Sequence, residues 1–267
     1  MRNSCTVIGL LCIVSLCLVT NAHAFTINVN GNLDEWGVFP DVYGSSDWAP
    51  NSGINFSEED TPPGQNQVFP GYGGQTFDVE GIYITADTAN LYYAVVTGFP
   101  PGGAGGYFAG DIAFDFGKNN TYEFGVSSIT RNGFMQGNLY NVSSWGAGLW
   151  GPSGFNTDPL SDPTYMLAGT ATAGQGGNLT YVPGLYPGDH YVIEGYIPYA
   201  NFGGYWGQDV RMHWAMSCGN DYLYVDYTPT PEPATMALLG LGLMGIAGLR
   251  KRRIHRHPEP KAKDLIL

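Results

Sequence analysis

An uncharged apolar run near the C-terminus constrains this chain more than any other stretch. Residues 234–249 contain no charged side chain, and Thr235 is their most polar member. As an α-helix rising ~1.5 Å per residue, the run would be roughly 24 Å long, slightly shorter than the ~30 Å hydrocarbon core of a bilayer. A buried helix of a soluble domain is the alternative, but the four glycines of the run would weaken such a helix. We therefore predict one transmembrane helix over residues 234–249.

The residues on either side of this run indicate its orientation. It is preceded by Pro231, Glu232 and Pro233 and followed directly by Arg250, Lys251, Arg252 and Arg253. Because basic residues beside a span remain in the cytoplasm, residues 254–267 are predicted to form a cytoplasmic basic tail. The chain before the span then lies outside the inner membrane.

Together these three parts resemble a known type of sorting segment. A Pro-Glu-Pro motif, a short Gly/Leu-rich span and an Arg-rich end occur in this order over residues 230–253, which resembles the PEP-CTERM sorting tail of Gram-negative bacteria. The resemblance implies recognition by an exosortase, an integral-membrane cysteine transpeptidase that would cut near Pro231, Glu232 and Pro233. The ectodomain would then move to the cell surface or to the extracellular polysaccharide matrix. Cleavage and retention as an anchor are both compatible with the sequence.

The N-terminus predicts export through the inner membrane. Met1 and Arg2 begin a positively charged region, residues 5–19 are apolar, and Ala22 and Ala24 form a small-x-small pattern. These are the parts of a secretory signal peptide. We therefore predict a signal helix within residues 1–24 that signal peptidase removes before Phe25, and a retained N-terminal anchor is the alternative.

The segment between the two termini is strongly acidic. Residues 25–231 hold twenty Asp and Glu but only three cations, Lys118, Arg131 and Arg211, which gives a net charge of −17. Nucleic-acid binding needs clustered cations, so this class of partner is excluded. Solvation is the simplest role for the acidic surface, and cation binding outside the cell is the alternative. Cys218 is the one cysteine left after export, so no intramolecular disulfide can form.

Residues 25–229 show the pattern of an all-β domain. Short runs of alternating apolar and polar residues are separated by turns rich in Gly, Pro, Asn and Asp, which is typical of a β-sandwich. We predict a single antiparallel, jelly-roll-like β-sandwich ectodomain. Strands are predicted at residues 25–29, 77–85, 91–98, 110–116, 122–126, 137–142, 165–173, 177–182, 190–198, 210–216 and 222–226, with a long loop at residues 38–76.

Three short motifs in this domain resemble family 9-like carbohydrate-binding modules and DOMON-type modules. They are the turn and Leu-Asp-x-Trp sequence within residues 29–36, the Asp-x-x-Asn-Leu-Tyr turn of residues 87–92 and the Glu-x-x-Ile-Pro strand end of residues 194–198. The resemblance implies a β-sandwich that binds carbohydrate without catalysing a reaction. For an exported protein it implies contact with an exopolysaccharide.

Five aromatic residues are candidates for glycan contacts. They are Trp36, Trp48, Tyr72, Trp145 and Trp150. An aromatic side chain offers a large apolar face, which can stack on the face of a sugar when it is exposed. The alternative for each ring is a place in the core or a role in pinning a loop to the sandwich.

One hairpin offers a candidate calcium site. Asp115, Asn119, Asn120 and Glu123 surround the turn between two predicted strands, and their side chains carry the hard oxygen ligands that Ca²⁺ prefers. The spacing does not match an EF-hand. An ordinary polar hairpin, with Lys118 as the counter-charge, is the alternative, so Ca²⁺ is the one cofactor that the sequence suggests.

The sequence carries no catalytic signature, and we predict that the protein is not an enzyme. It lacks a Gly-x-Ser-x-Gly motif, a phosphate-binding Gly-rich loop and a Cys or His cluster with metal-ligand spacing. The main hypothesis is a non-catalytic module that contacts exopolysaccharide. The alternatives are a purely structural matrix protein without a small ligand and an exported glycan hydrolase that uses a pair of carboxylates.

Overall fold

The computed structural model describes residues 26–39, 48–59, 65–150, 161–172, 178–184 and 190–229, together with Gly242. Ala24–Pro229 forms one compact unit. The predicted signal peptide, the sorting segment and the basic tail lie outside the described ranges, with the exception of Gly242. Within those ranges, no helix combines the length and the apolar character that crossing a membrane requires.

Antiparallel strands dominate the described residues. In chain order they are β1 (Asn55–Glu58), β2 (Val79–Ala86), β3 (Asn90–Thr97), β4 (Ile112–Phe116), β5 (Phe124–Val126), β6 (Leu139–Gly146), β7 (Tyr165–Ala171), β8 (Leu179–Pro183), β9 (Tyr191–Pro198), β10 (Val210–Ala215) and β11 (Tyr222–Tyr227). Short 3-10 helices lie at Asp34–Trp36, Gly74–Phe77 and Tyr199–Tyr205. One sheet has five strands in the order β1-β2-β3-β9-β8, and the other has six in the order β11-β10-β4-β5-β6-β7. The prediction of an all-β antiparallel sandwich is confirmed.

The main core lies between the two sheets and follows from the alternation along each strand. Tyr93 of β3 meets Phe114 of β4 with ring centroids 6.0 Å apart, and both rings are fully buried. Met212 and Trp214 of β10 belong to the same buried cluster. Burying a large apolar side chain stabilises a fold by about 1.5–3 kcal/mol. Because neighbouring residues of a strand point to opposite faces, this packing turns Arg211 and His213 to the outer face.

The N-terminal segment covers the outer face of the five-stranded sheet. Ile27, Leu33 and Trp36 pack in a second buried cluster against residues of β2, β3 and β9. The strand predicted at residues 25–29 is not formed in the described part, residues 26–29. Its continuation is held by Glu194, whose Oε2 accepts the main-chain N–H groups of Asn30 and Gly31 at 2.8 Å each. A side chain of β9 thus holds the turn that follows residues 26–29.

Strand β1 lies within the segment that the sequence predicts to be a loop. It pairs antiparallel with β2, from Asn55 opposite Ile84 to Glu58 opposite Gly81. Three of its four residues are exposed and the fourth is half-buried, so its sequence has no apolar alternation. An edge strand held mainly by main-chain hydrogen bonds leaves little pattern for sequence reasoning to find.

Candidate functional site

A groove of about 580 Å³ opens on the outer face of the six-stranded sheet. Strand β10 contributes Arg211 and His213, β11 contributes Tyr224, β6 contributes Trp145, and the turn before β5 contributes Tyr122. The volume lies within the ~300–1,000 Å³ that is usual for sites of small ligands. Strands β6 and β11 are far apart in the chain but belong to the same sheet. The order of its strands therefore brings these side chains together on one face.

Trp145 is fixed in this groove from two sides. Its indole N–H donates to the main-chain carbonyl of Tyr122 over 2.8 Å. Beneath the ring lies Gly125 of β5, where an added Cβ would come within 2.7 Å of both Trp145 Cη2 and Met166 Sδ. A glycine is therefore needed for the indole to lie this close to the sheet. The ring is held in place before any ligand arrives, which lowers the entropic cost of binding.

A group of rings continues from Trp145 across the face of the sheet. Tyr122 packs edge-on against His213 with ring centroids 5.8 Å apart, and His213 stacks on Tyr222 at 5.7 Å. Burial raises the pKa of the Tyr122 phenol. Its hydroxyl therefore stays protonated at physiological pH and can both donate and accept hydrogen bonds. The groove thus combines apolar ring faces with neutral polar groups.

The cations at this surface, Arg211 and Lys118, are paired with a carboxylate. Arg211 binds Asp226 through two contacts, Nε to Oδ1 at 2.8 Å and Nη2 to Oδ2 at 3.2 Å, and its guanidinium lies 4.4 Å from the centre of the Tyr224 ring. Lys118 approaches the same carboxylate at 3.5 Å. Burial alone would raise the pKa of Asp226, but the hydrogen bond and the charge of Arg211 outweigh it, and the pKa is lowered. This part of the groove therefore carries little net charge.

The five predicted glycan contacts do not form one platform. Trp36 is fully buried, and its indole N–H donates to Glu194 Oε1 over 2.8 Å, while Trp48 is 3% exposed. A sugar can stack only on an accessible ring, so for these two residues the structure replaces the predicted contact with a place in the core. The Tyr72 side chain is 55% exposed, and its ring centroid lies 6.3 Å from that of Trp150 in another part of the surface. Trp145 is the predicted residue that lies in the groove.

Sequence reasoning did not name Tyr122, Arg211, His213 or Tyr224 as candidate site residues, although all four line the groove. Arg211, His213 and Tyr224 alternate with core residues on β10 and β11, so their outward direction follows from strand period. Tyr122 precedes β5 and carries no such signal. The order of the strands cannot be read from the sequence. In the structure this order places β10 and β11 near Trp145.

The predicted calcium ligands do meet at the turn after β4, and each makes contacts within the hairpin. The two carboxylate oxygens of Asp115 accept the main-chain N–H groups of Asn119 at 3.0 Å and Asn120 at 2.7 Å. Glu123 Oε2 accepts the N–H of Phe116 at 2.9 Å. These contacts explain the polar residues of the turn without an ion, as expected for an ordinary polar hairpin. Calcium at this turn stays a prediction.

A second group of acids was not found from the sequence. Carboxylate oxygens of Glu59, Asp78 and Asp221 lie within 4.8 Å of one another, and Asp78 and Asp221 are buried. Asp221 also accepts the main-chain N–H of Val79 at 2.7 Å. Burial, followed by the charges of Glu59 and Asp78, raises the pKa of Asp221 well above its ordinary value. Carboxylates this close hold a proton between them unless a cation takes its place.

Cys218 does not have the environment of a nucleophile. The side chain is 1% exposed and belongs to the main core. Burial raises the pKa of its thiol to about 11. Since the thiolate is the reactive form, this cysteine is inert at neutral pH.

Comparison with known proteins identifies the C-terminal segment. No curated protein and no solved structure matches the chain. The match that is found covers the segment predicted to direct sorting, which lies almost wholly outside the described residues. Residues 229–253 match the family model described as the PEP-CTERM protein-sorting motif, and this match supports an exported, membrane-anchored precursor that an exosortase processes for the cell surface.

Proposed function

We propose that this protein is a non-catalytic surface or matrix protein whose sandwich binds an exopolysaccharide in the groove that contains Trp145, Tyr122 and Tyr224. One observation carries the proposal. Ring faces held in fixed positions line the same groove as neutral hydrogen-bonding groups and a paired charge. This mixture matches the surface of a sugar, which has apolar C–H faces and a rim of hydroxyl groups.

The physical requirements of sugar binding support the groove over the other surfaces. Trp145 and Tyr224 offer apolar faces, and the phenol of Tyr122 can donate and accept at neutral pH. Because the indole N–H of Trp145 is already satisfied by Tyr122, the ligand meets the face of the ring and not its polar edge. Sites of this kind bind through apolar walls and take their specificity from a few polar groups.

Sorting would bring the groove to a location where polysaccharide is present. Exosortase processing would deliver the sandwich to the cell surface or the matrix, where polysaccharide surrounds it. The acidic surface keeps the released domain soluble. A protein attached to its polymer through one groove would remain in the matrix after its anchor is cut.

The alternative of a purely structural matrix protein predicts that the aromatic residues are all buried. Trp36 and Trp48 fit that prediction, whereas Tyr224 is 38% exposed and lines the groove. The two alternatives differ in whether the protein is retained by polysaccharide.

Co-sedimentation tests the proposal. The full-length protein is mixed with the insoluble fraction of the exopolysaccharide that the producing cells secrete, and bound protein is measured after centrifugation. We expect retention of the wild type and of Trp206→Ala, since Trp206 stacks on Tyr199 and does not line the groove. Trp145→Ala should stay in the supernatant. Equal retention of the two variants, or no retention of the wild type, would overturn the proposal.

A further inference from the structure

The groove that holds Trp145 is one of two that share a side chain. A second groove, of about 570 Å³, lies between β1 and β11 and is lined by Asn55, Phe56 and Asp226 among others. Tyr224 lines both grooves. One residue is therefore shared by two surfaces, each large enough for a small ligand.

The shared wall is fixed in position. Arg211 covers the Tyr224 ring at 4.4 Å and is itself bound to Asp226, two residues further along β11. Tyr224 and Asp226 point to the same face because they are two residues apart on a strand. Asn55 ties β1 to this strand, since its amide donates to the main-chain carbonyl of Asp226 over 2.9 Å. The two grooves are thus parts of one braced surface.

The second groove has an exposed aromatic face of its own. Phe56 is 40% exposed, and its inner face stacks on the buried Tyr83 ring with centroids 6.4 Å apart and planes 11° from parallel. Because side chains alternate along a strand, Phe56 points away from its neighbours Asn55 and Ser57, and all three residues line the second groove. An exposed aromatic residue therefore recurs on the far side of Tyr224.

The charged residues near Tyr224 favour an uncharged polymer over an acidic one. Two of the three cations of the ectodomain, Lys118 and Arg211, are bound to Asp226. These two side chains therefore offer no unpaired positive charge to an acidic ligand. The whole ectodomain carries −17, which would repel a polyanion over a distance of ~8–10 Å at ordinary salt.

We propose that the two grooves form one continuous site for the interior of a single uncharged polysaccharide chain, with sugar units at Trp145 and at Phe56 and the chain crossing Tyr224. This inference rests on the proposed function and adds the length and the charge class of the ligand. A ligand that engages both grooves gains affinity, because the second contact is made within the same complex. A short fragment can occupy one groove at a time.

Titration calorimetry with fragments of graded length tests this inference. The probes are size-fractionated neutral oligosaccharides from partial hydrolysis of the secreted exopolysaccharide, with a uronic-acid oligosaccharide series as the charged comparison. For the full-length wild type we expect long neutral fragments to bind at least about tenfold tighter than short ones. Phe56→Ala should remove this gain, so that long and short fragments bind the variant with similar affinity. Phe39→Ala is the matched control, since Phe39 is 63% exposed and lines neither groove.

Each outcome separates this inference from the proposed function. Affinity independent of length, a Phe56→Ala variant that keeps the gain, or preference for the uronic-acid series would overturn the two-groove inference. If in these cases Trp145→Ala still abolishes binding, the proposed function stands. Failure of Trp145→Ala to weaken binding overturns both. Phe56→Leu guards against a folding defect, because it keeps the apolar bulk and loses the flat face, and it should behave as Phe56→Ala does.

Discussion

The indole N–H of Trp145 donates to the main-chain carbonyl of Tyr122 over 2.8 Å, and this bond fixes the indole relative to the main chain of Tyr122. The bond joins β6 to the turn that precedes β5. Its geometry depends on a third residue, since Gly125 leaves the space that the indole occupies. The shape of the groove is therefore set by a residue that does not line it.

Substituting Gly125 tests this dependence. In Gly125→Ala, the new Cβ would lie 2.7 Å from Trp145 Cη2, so the indole must move off the sheet. We expect a loss of about 1–3 kcal/mol in the free energy of unfolding, as for other overpacked sites, together with loss of polysaccharide binding. Urea denaturation and calorimetry measure the two effects. Gly102→Ala is the control, because no atom of the described residues lies within 4 Å of its added Cβ. Unchanged binding in Gly125→Ala would show that the position of Trp145 does not matter.

The turn after β4 should be held by Asp115 whether or not calcium is present. Each oxygen of this carboxylate accepts a main-chain N–H, and an asparagine can replace only one of the two acceptors. Asp115→Asn should lower the free energy of unfolding by about 1 kcal/mol, the net worth of one typical hydrogen bond. Thermal melts in EDTA and in CaCl₂ provide the measurement, and the loss should be equal in both. A calcium-dependent rise in melting temperature that Asp115→Asn abolishes would instead establish the predicted ion.

Stability should depend on pH through Asp221. Its pKa is raised in the fold above the ordinary value of 3.8 by burial and by the charges of Glu59 and Asp78. A carboxyl with a raised folded pKa contributes stability that is complete below the unfolded pKa and is lost as the pH rises through the folded pKa. The free energy of unfolding should therefore fall as the pH rises from 3.8 through the raised folded pKa of Asp221.

Asp221→Asn isolates this effect from the general repulsion of an acidic protein. The variant cannot ionise, so its unfolding free energy, measured in urea from pH 4 upward, should vary less with pH than that of the wild type. Asp34→Asn, at an exposed position, serves as the control and should keep the wild-type slope. Equal slopes in all three proteins would rule out Asp221 as the linked group.

The sorting segment should determine where the protein is found. Removal of residues 230–253 deletes the matched motif, and with it the proposed recognition site for exosortase. We expect the truncated protein to appear in the culture medium and not in the membrane fraction. Immunoblots of fractionated cells show the distribution, with Phe39→Ala as a full-length control. A membrane-bound distribution identical to that of the wild type would contradict this assignment.

Much of the fold could be predicted because strand alternation is a local signal. Residues 190–198 and 210–216 were predicted as strands, and the structure has β9 at Tyr191–Pro198 and β10 at Val210–Ala215. Strand β1 was missed because its residues are almost all exposed. The strand predicted at residues 25–29 is not formed at residues 26–29. There Ile27 packs into the second buried cluster, and Glu194 of β9 holds the turn that follows.

The candidate site was harder to predict because it depends on contacts between distant residues. From the sequence, Trp36 is a candidate surface ring. In the structure it is buried and donates a hydrogen bond to Glu194, 158 residues away. Trp145 and Tyr224 come to one face only through the order β11-β10-β4-β5-β6. Residue types indicate which side chains can bind a sugar, whereas the sheet order determines which of them can act together.

The role of the groove is tested most directly by titration calorimetry of the full-length protein with a long neutral fragment of the secreted exopolysaccharide. Wild type and Trp206→Ala should bind with the same affinity, and Trp145→Ala should bind at least about tenfold more weakly, as expected for a central aromatic contact. The melting temperatures of the two variants, measured in parallel, exclude a general loss of structure. Equal affinity for all three proteins, or no heat of binding for the wild type, would contradict polysaccharide binding at this groove.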